Sequence, residues 1–236
     1  MALEPGASIP MPDIPDFPWT VDQIIEEFYG TAMPDNRADI LPAVAGESPK
    51  AIALRERRNS ATQAANEAAA AAVNSMTEVL SGAITSRVAQ IQENLSTIRD
   101  SASQIVNAYP NLMGVKTWLI GYEAAVIAPL QTELAIMQAQ AALAALAGTA
   151  PTLAAADAAA LTVQLQADTD ISTQISMWFT GQRDALASIV ANCVAANMLI
   201  QTIMAAMGIG RSDASVQFVN ALGTAIAALN AAVAAL

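Results

Sequence analysis

The 236-residue sequence contains no histidine, one cysteine and few aromatic or charged side chains. Histidine is the commonest general base and a frequent metal ligand, so its absence removes the usual route to acid–base and metal chemistry. The single cysteine, Cys193, cannot form a disulfide within the chain, and its apolar neighbours in the sequence predict a buried, unreactive thiol. The fold therefore does not depend on an oxidising compartment.

Recognisable catalytic motifs are also missing. The sequence has no glycine-rich phosphate loop, nucleophile elbow, CxxC pair or HExxH motif. Two acidic pairs, Glu26 with Glu27 and Asp168 with Asp170, contain the residue types for acid–base work, but their positions favour solvated surface charge. We therefore expect no catalytic, cofactor-binding or metal-binding residues, and we expect that the protein is not an enzyme.

The charge of the chain is strongly acidic. Ten lysines and arginines against 21 acidic residues give a net charge of -11, which argues against a nucleic-acid partner because phosphate binding depends on basic side chains. The first residues, from Met1 onward, lack the basic and apolar segments of a secretory signal. We expect a product that is cytoplasmic at synthesis.

Abundant alanine, the best helix former, predicts an all-α protein. We expect an elongated antiparallel helical bundle or coiled coil with long helices, preceded by an extended proline-rich arm at residues 1–19. Residues 20–47 are predicted to form a short helix, opened by a capping box at Thr20, and then a linker. Residues 48–236 are expected to form the bundle. Its helices are expected at about 49–107, 112–147, 152–207 and 213–235.

Prolines and glycines set these predicted boundaries. Pro49 follows Ser48 as a first-turn proline after an N-cap, and Tyr109-Pro110 is expected to end the first long helix, which at 1.5 Å per residue would be a rod about 87 Å long. Pro129 is expected to kink the next helix. The turn at residues 148–151 then predicts an antiparallel hairpin.

Apolar residues recur at alternating spacings of three and four, the heptad pattern of a coiled coil. One such seam runs from Ile84 to Ile105 and another from Leu186 to Met207, with Asn197 at a position where a polar residue commonly fixes register. A third, near the C-terminus, favours parallel two-stranded pairing. We predict that it is an interface, formed by Val219, Leu222, Ile226, Leu229 and Val233. The spacing alone does not distinguish a seam within one chain from one between chains.

Two functions fit these features. The first is a structural protein that forms a homo-oligomer and contacts other structural proteins, with Phe17 and Trp19 anchoring the arm. An extended arm and long alanine-rich helices resemble, in general form, a bacteriophage virion or tail component. The second is a membrane-active protein that uses the hairpin at 134–165. Over residues 110–210 the long helix and hairpin look generically similar to α-helical pore-forming toxins, although permanent membrane embedding is disfavoured by the polar residues in each apolar run.

Overall fold

The computed structural model describes residues 7–29, 48–148 and 154–236, and every regular element in these ranges is helical. The predicted all-α class is confirmed. Four long helical segments follow a short one: α1 (Val21–Ile24), α2 (Pro49–Tyr122), α3 (Ala128–Leu146), α4 (Ala154–Ala206) and α5 (Asp213–Ala235). Two π-helical segments, Ile25–Tyr29 and Glu123–Ile127, continue α1 and join α2 to α3. The predicted linker at 30–47 and most of the turn at 148–151 lie outside the described residues.

Local capping groups start the helices where the sequence predicts. Thr20 and Gln23 form both hydrogen bonds of a capping box, at 3.2 and 2.9 Å. The Ser48 hydroxyl accepts a hydrogen bond from the backbone N–H of Ala51, and the Ser212 hydroxyl accepts one from the N–H of Ser215. Backbone N–H groups at the start of a helix have no carbonyl partner within that helix, and each of these bonds supplies such a partner.

The predicted helix end at Tyr109-Pro110 is wrong, because α2 continues through Pro110 to Tyr122. Proline lacks the N–H that would bond the carbonyl four residues earlier, at a typical penalty of about 3 kcal/mol. Buried apolar side chains surround the position: Ile105 and Met113 are at most 1% exposed, and Tyr109 is also buried. Burying each such side chain contributes roughly 1.5–3 kcal/mol, which outweighs the lost bond.

Pro129 also leaves its helix unbroken in the described region. It is the second residue of α3, directly after the π-helical segment Glu123–Ile127. Because the π-helical segment runs into α3 without a break, Pro129 costs the helix one backbone hydrogen bond to the preceding turn. A wider π turn directly precedes the proline, and the kink expected at Pro129 stays a prediction.

The described chain divides into two compact units. Unit 1 contains residues 7–15, Leu95–Met198 and Asn220–Leu236, and unit 2 contains the described parts of Asp16–Asn94 and Leu199–Val219. In unit 1 the buried side chains of α2, α4 and α5 form the core, with Ile98, Ile105, Cys193 and Leu222 fully covered. Unit 2 has its own core, whose most buried members are Ile24, Ile84, Ile91, Ile200, Met204, Met207 and Ile209.

In each unit a basic residue of α2 binds the carbonyl end of another helix. In unit 2, Nη1 of Arg87 donates to the carbonyl of Ala206 at 3.0 Å, at the end of α4. In unit 1, Nζ of Lys116 donates to the carbonyl of Ala235 at 2.7 Å, at the end of α5. Both cations meet carbonyls that have no partner within their own helix and complement the negative end of the helix dipole.

Candidate assembly surfaces

The proline-rich arm contacts its own chain. In unit 1, Ile14 is buried and the carbonyl of Pro15 lies 3.5 Å from Nη2 of Arg99 on α2. In unit 2, the predicted anchors Phe17 and Trp19 form a cluster of edge-to-face rings with Phe218 of α5. The three pairs of ring centroids are 5.2, 5.8 and 6.4 Å apart. Such pairs contribute about 0.5–1.5 kcal/mol each beyond the area they bury.

The predicted C-terminal seam is already covered within the single chain. Leu222 is 0% and Leu229 1% exposed, Ile226 and Val233 are also buried, and Val219 is half-buried. Side chains with so little exposed area have little left to bury against another molecule. Their role as interface residues stays a prediction, and their burial is explained by the packing of the chain itself.

The opposite side of α5 is open to solvent in the described chain. Between Asn220 and Ala235 the exposed residues are mostly alanines, together with Asn230 and Thr224, and none is charged. A helix that is apolar or small on every face normally has partners on every face. The described part of the chain covers only one face of this helix.

A groove of about 440 Å³ runs between α4 and α5 in unit 1. Its lining is uncharged and consists of small or apolar residues with two amides: Ala187, Val190, Ala191, Val194 and Asn197 from α4, and Gly223, Ile226, Ala227 and Asn230 from α5. Small residues four apart on each helix allow another helix to approach closely. On both walls the lining residues are three or four positions apart in the sequence. This is the spacing of the side-chain ridges through which helices pack, so the groove has the form that a further helix would fill.

Asn197, predicted from the heptad pattern as a register residue, lies half-buried in this groove. Its Oδ1 atom is buried without a hydrogen-bond partner. A buried acceptor left unsatisfied costs about 1–3 kcal/mol, so native proteins normally supply a donor. Among the buried side-chain oxygens and nitrogens of the described residues, this oxygen is the one without a partner, and its burial keeps it from contact with the open part of the groove.

The acidic pairs and the cysteine that were considered as candidates for chemistry do not come together in one site. Glu26 and Glu27 are exposed, and the Asp168 carboxylate accepts a hydrogen bond from the Tyr122 hydroxyl at 2.8 Å. This bond raises the pKa of Tyr122. Burial raises the pKa of the Cys193 thiol, while a hydrogen bond with Ser101 acts in the opposite direction. Among the described residues no group of three acidic or cysteine side chains is arranged to hold a metal ion.

Three helical stretches in the described ranges are long and apolar enough to cross a membrane by length and composition. They lie within Pro49–Leu146, Asp157–Ala206 and Asp213–Ala235, and only 6%, 28% and 33% of their most apolar windows are buried in the chain. Much of the apolar helix surface is therefore uncovered. No protein family matches the sequence, and comparisons with curated proteins and with solved structures find no similar chain.

Proposed function

We propose that this protein is a non-enzymatic structural protein that assembles with copies of itself through uncharged helix faces. The observation that supports this proposal best is the uncharged lining of the groove between α4 and α5 in unit 1, together with the largely uncovered apolar stretches of these two helices. Extended apolar surface on a soluble chain is typical of interaction sites. The setting we propose, from the arm and the long alanine-rich helices, is a virion or comparable assembly with other structural proteins.

A charge placed on this face tests the proposal directly. Ala191 and Ala227 line opposite walls of the groove, and both are exposed, so each tolerates a larger side chain in a single chain. We expect the double substitution Ala191→Glu with Ala227→Glu to separate the oligomer, because two carboxylates per chain would have to be desolvated between copies. Ala167→Glu, on an exposed position of α4 outside the groove, is the matched control.

Light scattering on the three proteins gives the readout. The proposal requires a multimeric wild type, a multimeric Ala167→Glu protein and a groove variant of lower mass with unchanged helical circular dichroism. A groove variant that keeps the wild-type mass would contradict assembly through this face.

A second candidate is membrane activity of the hairpin predicted at 134–165, and a separate observation favours it. No residue of α3 is buried, and the exposed fractions of Leu143, Leu146 and Val163 are 66%, 85% and 71%. The sequence also has no lysine or arginine between Lys116 and Arg183. Large exposed apolar side chains on helices with few charges are the groups that gain most from contact with lipid.

Vesicle leakage distinguishes this candidate from assembly alone. Leu143→Gln removes an exposed leucine from the hairpin, and Leu54→Gln removes one of similar exposure, 70%, from the start of α2. Membrane activity predicts leakage from zwitterionic vesicles that falls with Leu143→Gln and persists with Leu54→Gln. Absence of leakage by the wild-type protein would reject this candidate and leave the assembly proposal standing.

A further inference from the structure

The apolar stretch around α3 in unit 1 is bounded by aromatic residues and then by basic ones. Residues 123–177 contain no aromatic and no basic side chain. Trp118 and Tyr122 precede this stretch and Trp178 follows it, and the next basic residues outward are Lys116 and Arg183. The described part of the stretch exposes large apolar side chains that are at least 46% accessible, among them Ile136, Leu143, Leu146, Val163 and Ile171. The order outward is therefore apolar, aromatic and basic on both sides.

The two sides of this stretch meet in space. The hydroxyl of Tyr122 donates to the Asp168 carboxylate at 2.8 Å, which puts the end of α2 and this part of α4 at one level. Ser101 bonds Cys193 further along, so α2 and α4 run antiparallel here. The helical chain continues from α2 into α3 away from this level, and residues 154–167 extend α4 in the same direction. The apolar stretch thus lies on one side of the level and the basic residues lie on the other.

The exposed tryptophans lie on the basic side, close to that level. At 1.5 Å per residue Trp118 is about 6 Å and Trp178 about 15 Å from it. The ring of Trp118 stacks on that of Tyr122 with centroids 4.7 Å apart, and Trp118 and Trp178 stay 43% and 51% exposed. Tryptophan and tyrosine are enriched where hydrocarbon meets lipid headgroups, because one end of each side chain is apolar and the other is polar. A protein partner would require no such order of side chains.

We propose that Trp118, Tyr122 and Trp178 form an aromatic border that lies at the headgroup level of a lipid bilayer and sets how deeply the chain enters it. α3 and the first turns of α4 lie in the hydrocarbon, and Lys116 and Arg183 lie on the water side. This inference rests on the membrane activity proposed above. From Tyr122 to Leu146 the helical rise is about 36 Å, which is enough to reach through a hydrocarbon layer of roughly 30 Å.

Two acidic residues oppose deep insertion. Glu133 and Asp157 are exposed, and each lies eleven residues, or about 16 Å, beyond the level of the Tyr122–Asp168 bond. A charged carboxylate is costly at that depth, and residues 123–177 offer no basic side chain to pair with it. The other three acidic residues of the stretch lie within three positions of Tyr122 or Asp168, at the border, where water is present.

Quenching by brominated lipids measures the depth of the border. In a Trp19→Phe background the emission comes from Trp118 and Trp178 alone. On phosphatidylcholine vesicles it should shift to shorter wavelength and be quenched more by bromine near the headgroup than by bromine near the chain end. With all three tryptophans replaced by phenylalanine, Leu143→Trp should show the opposite order. Leu54→Trp in that background, equally exposed on α2, should not be quenched.

Vesicle leakage measures what the border and the two carboxylates contribute. Trp118→Ala with Trp178→Ala should reduce leakage, whereas Met76→Ala with Val79→Ala, which removes exposed apolar side chains elsewhere on α2, should not. Glu133→Gln with Asp157→Asn should increase leakage, and Glu67→Gln with Glu78→Gln, at exposed positions of α2, is the control.

The outcomes separate this inference from the function on which it rests. If the wild type permeabilises vesicles but Trp118 and Trp178 are unquenched, or are quenched most by the deep bromine, the border is wrong and membrane activity stands. A wild-type protein that neither binds nor permeabilises vesicles overturns both.

Discussion

Replacing Phe218 with alanine is expected to release the N-terminal arm from unit 2. The ring is 5% exposed and meets both Phe17 and Trp19 edge to face, with centroids 5.8 and 6.4 Å away. Truncation of a buried phenylalanine typically costs 3–5 kcal/mol. The two ring contacts account for about 0.5–1.5 kcal/mol each. Since Phe17 is only half-buried, we expect a loss near the lower end, about 3 kcal/mol in the free energy of unfolding.

Tryptophan fluorescence reports this change at the arm itself. Trp118 and Trp178 are 43% and 51% exposed, whereas Trp19 is 9% exposed. In a background with Trp118→Phe and Trp178→Phe, the emission comes from Trp19 alone. Phe218→Ala should shift this emission to longer wavelength and lower the midpoint of chemical unfolding.

Val216→Ala is the matched control, because Val216 lies on the same helix but is 49% exposed. Substitutions at such surface positions usually change stability by less than about 0.5 kcal/mol. Unchanged Trp19 emission in the Phe218→Ala protein, with stability equal to the control, would refute the assignment of Phe218 as the residue that holds the arm.

Three further predictions test the fold. Pro110→Ala should raise the free energy of unfolding, measured by chemical unfolding, by about 1–2 kcal/mol. The substitution restores a hydrogen bond to the carbonyl of Val106, and this gain exceeds the entropic loss that comes from a freer unfolded chain. A decrease in the free energy of unfolding would contradict the prediction. Gly208→Ala should destabilise by about 1 kcal/mol, since Gly208 has φ +78°, whereas Gly82→Ala in the interior of α2 should stabilise by about 0.5–1 kcal/mol. A higher melting temperature for Gly208→Ala, or a lower one for Gly82→Ala, would refute that reasoning. The buried Cys193 should react with a thiol reagent only as fast as the protein unfolds, and because its folded pKa is raised, stability should fall as the pH rises above the ordinary cysteine value. Rapid labelling of the native protein would count against its burial.

The parts of the fold that depend on neighbouring residues could be predicted from the sequence. Helix starts at Thr20, Ser48 and Ser212 each rely on a hydroxyl and an amide three residues apart, and all three hydrogen bonds are present. The end of α4 at Gly208 is equally local: the N–H of Ile209 reaches back to the carbonyl of Met204, and the glycine adopts the positive φ that this closure requires. These helix starts and ends can be predicted because each depends on a hydrogen bond between residues close together in the sequence.

Features that depend on tertiary packing could not be predicted in this way. The passage of α2 through Pro110 is decided by apolar burial on both sides of the proline, which a local rule does not include. Arg87 and Lys116 each bond a carbonyl 119 positions away in the chain, so no spacing in the sequence reveals their roles at the ends of α4 and α5.

The C-terminal seam illustrates a different limit of sequence patterns. A heptad stripe has the same spacing whether it packs within a chain or between chains, and Leu222 and Leu229 are covered within this one. Replacing either with aspartate would bury a carboxylate in the core of the chain, so such a variant tests folding rather than assembly. The exposed alanines of the groove are the better probes of contacts between copies.

The mass of the wild-type protein in solution tests the central claim most directly. Sedimentation velocity over a wide concentration range, starting well below micromolar, separates a monomer of 24.4 kDa from its multiples. Assembly through uncharged helix faces predicts one defined multiple of this mass that persists at high salt, because no ion pairs hold the contact. A single species of 24.4 kDa at every concentration would contradict the account.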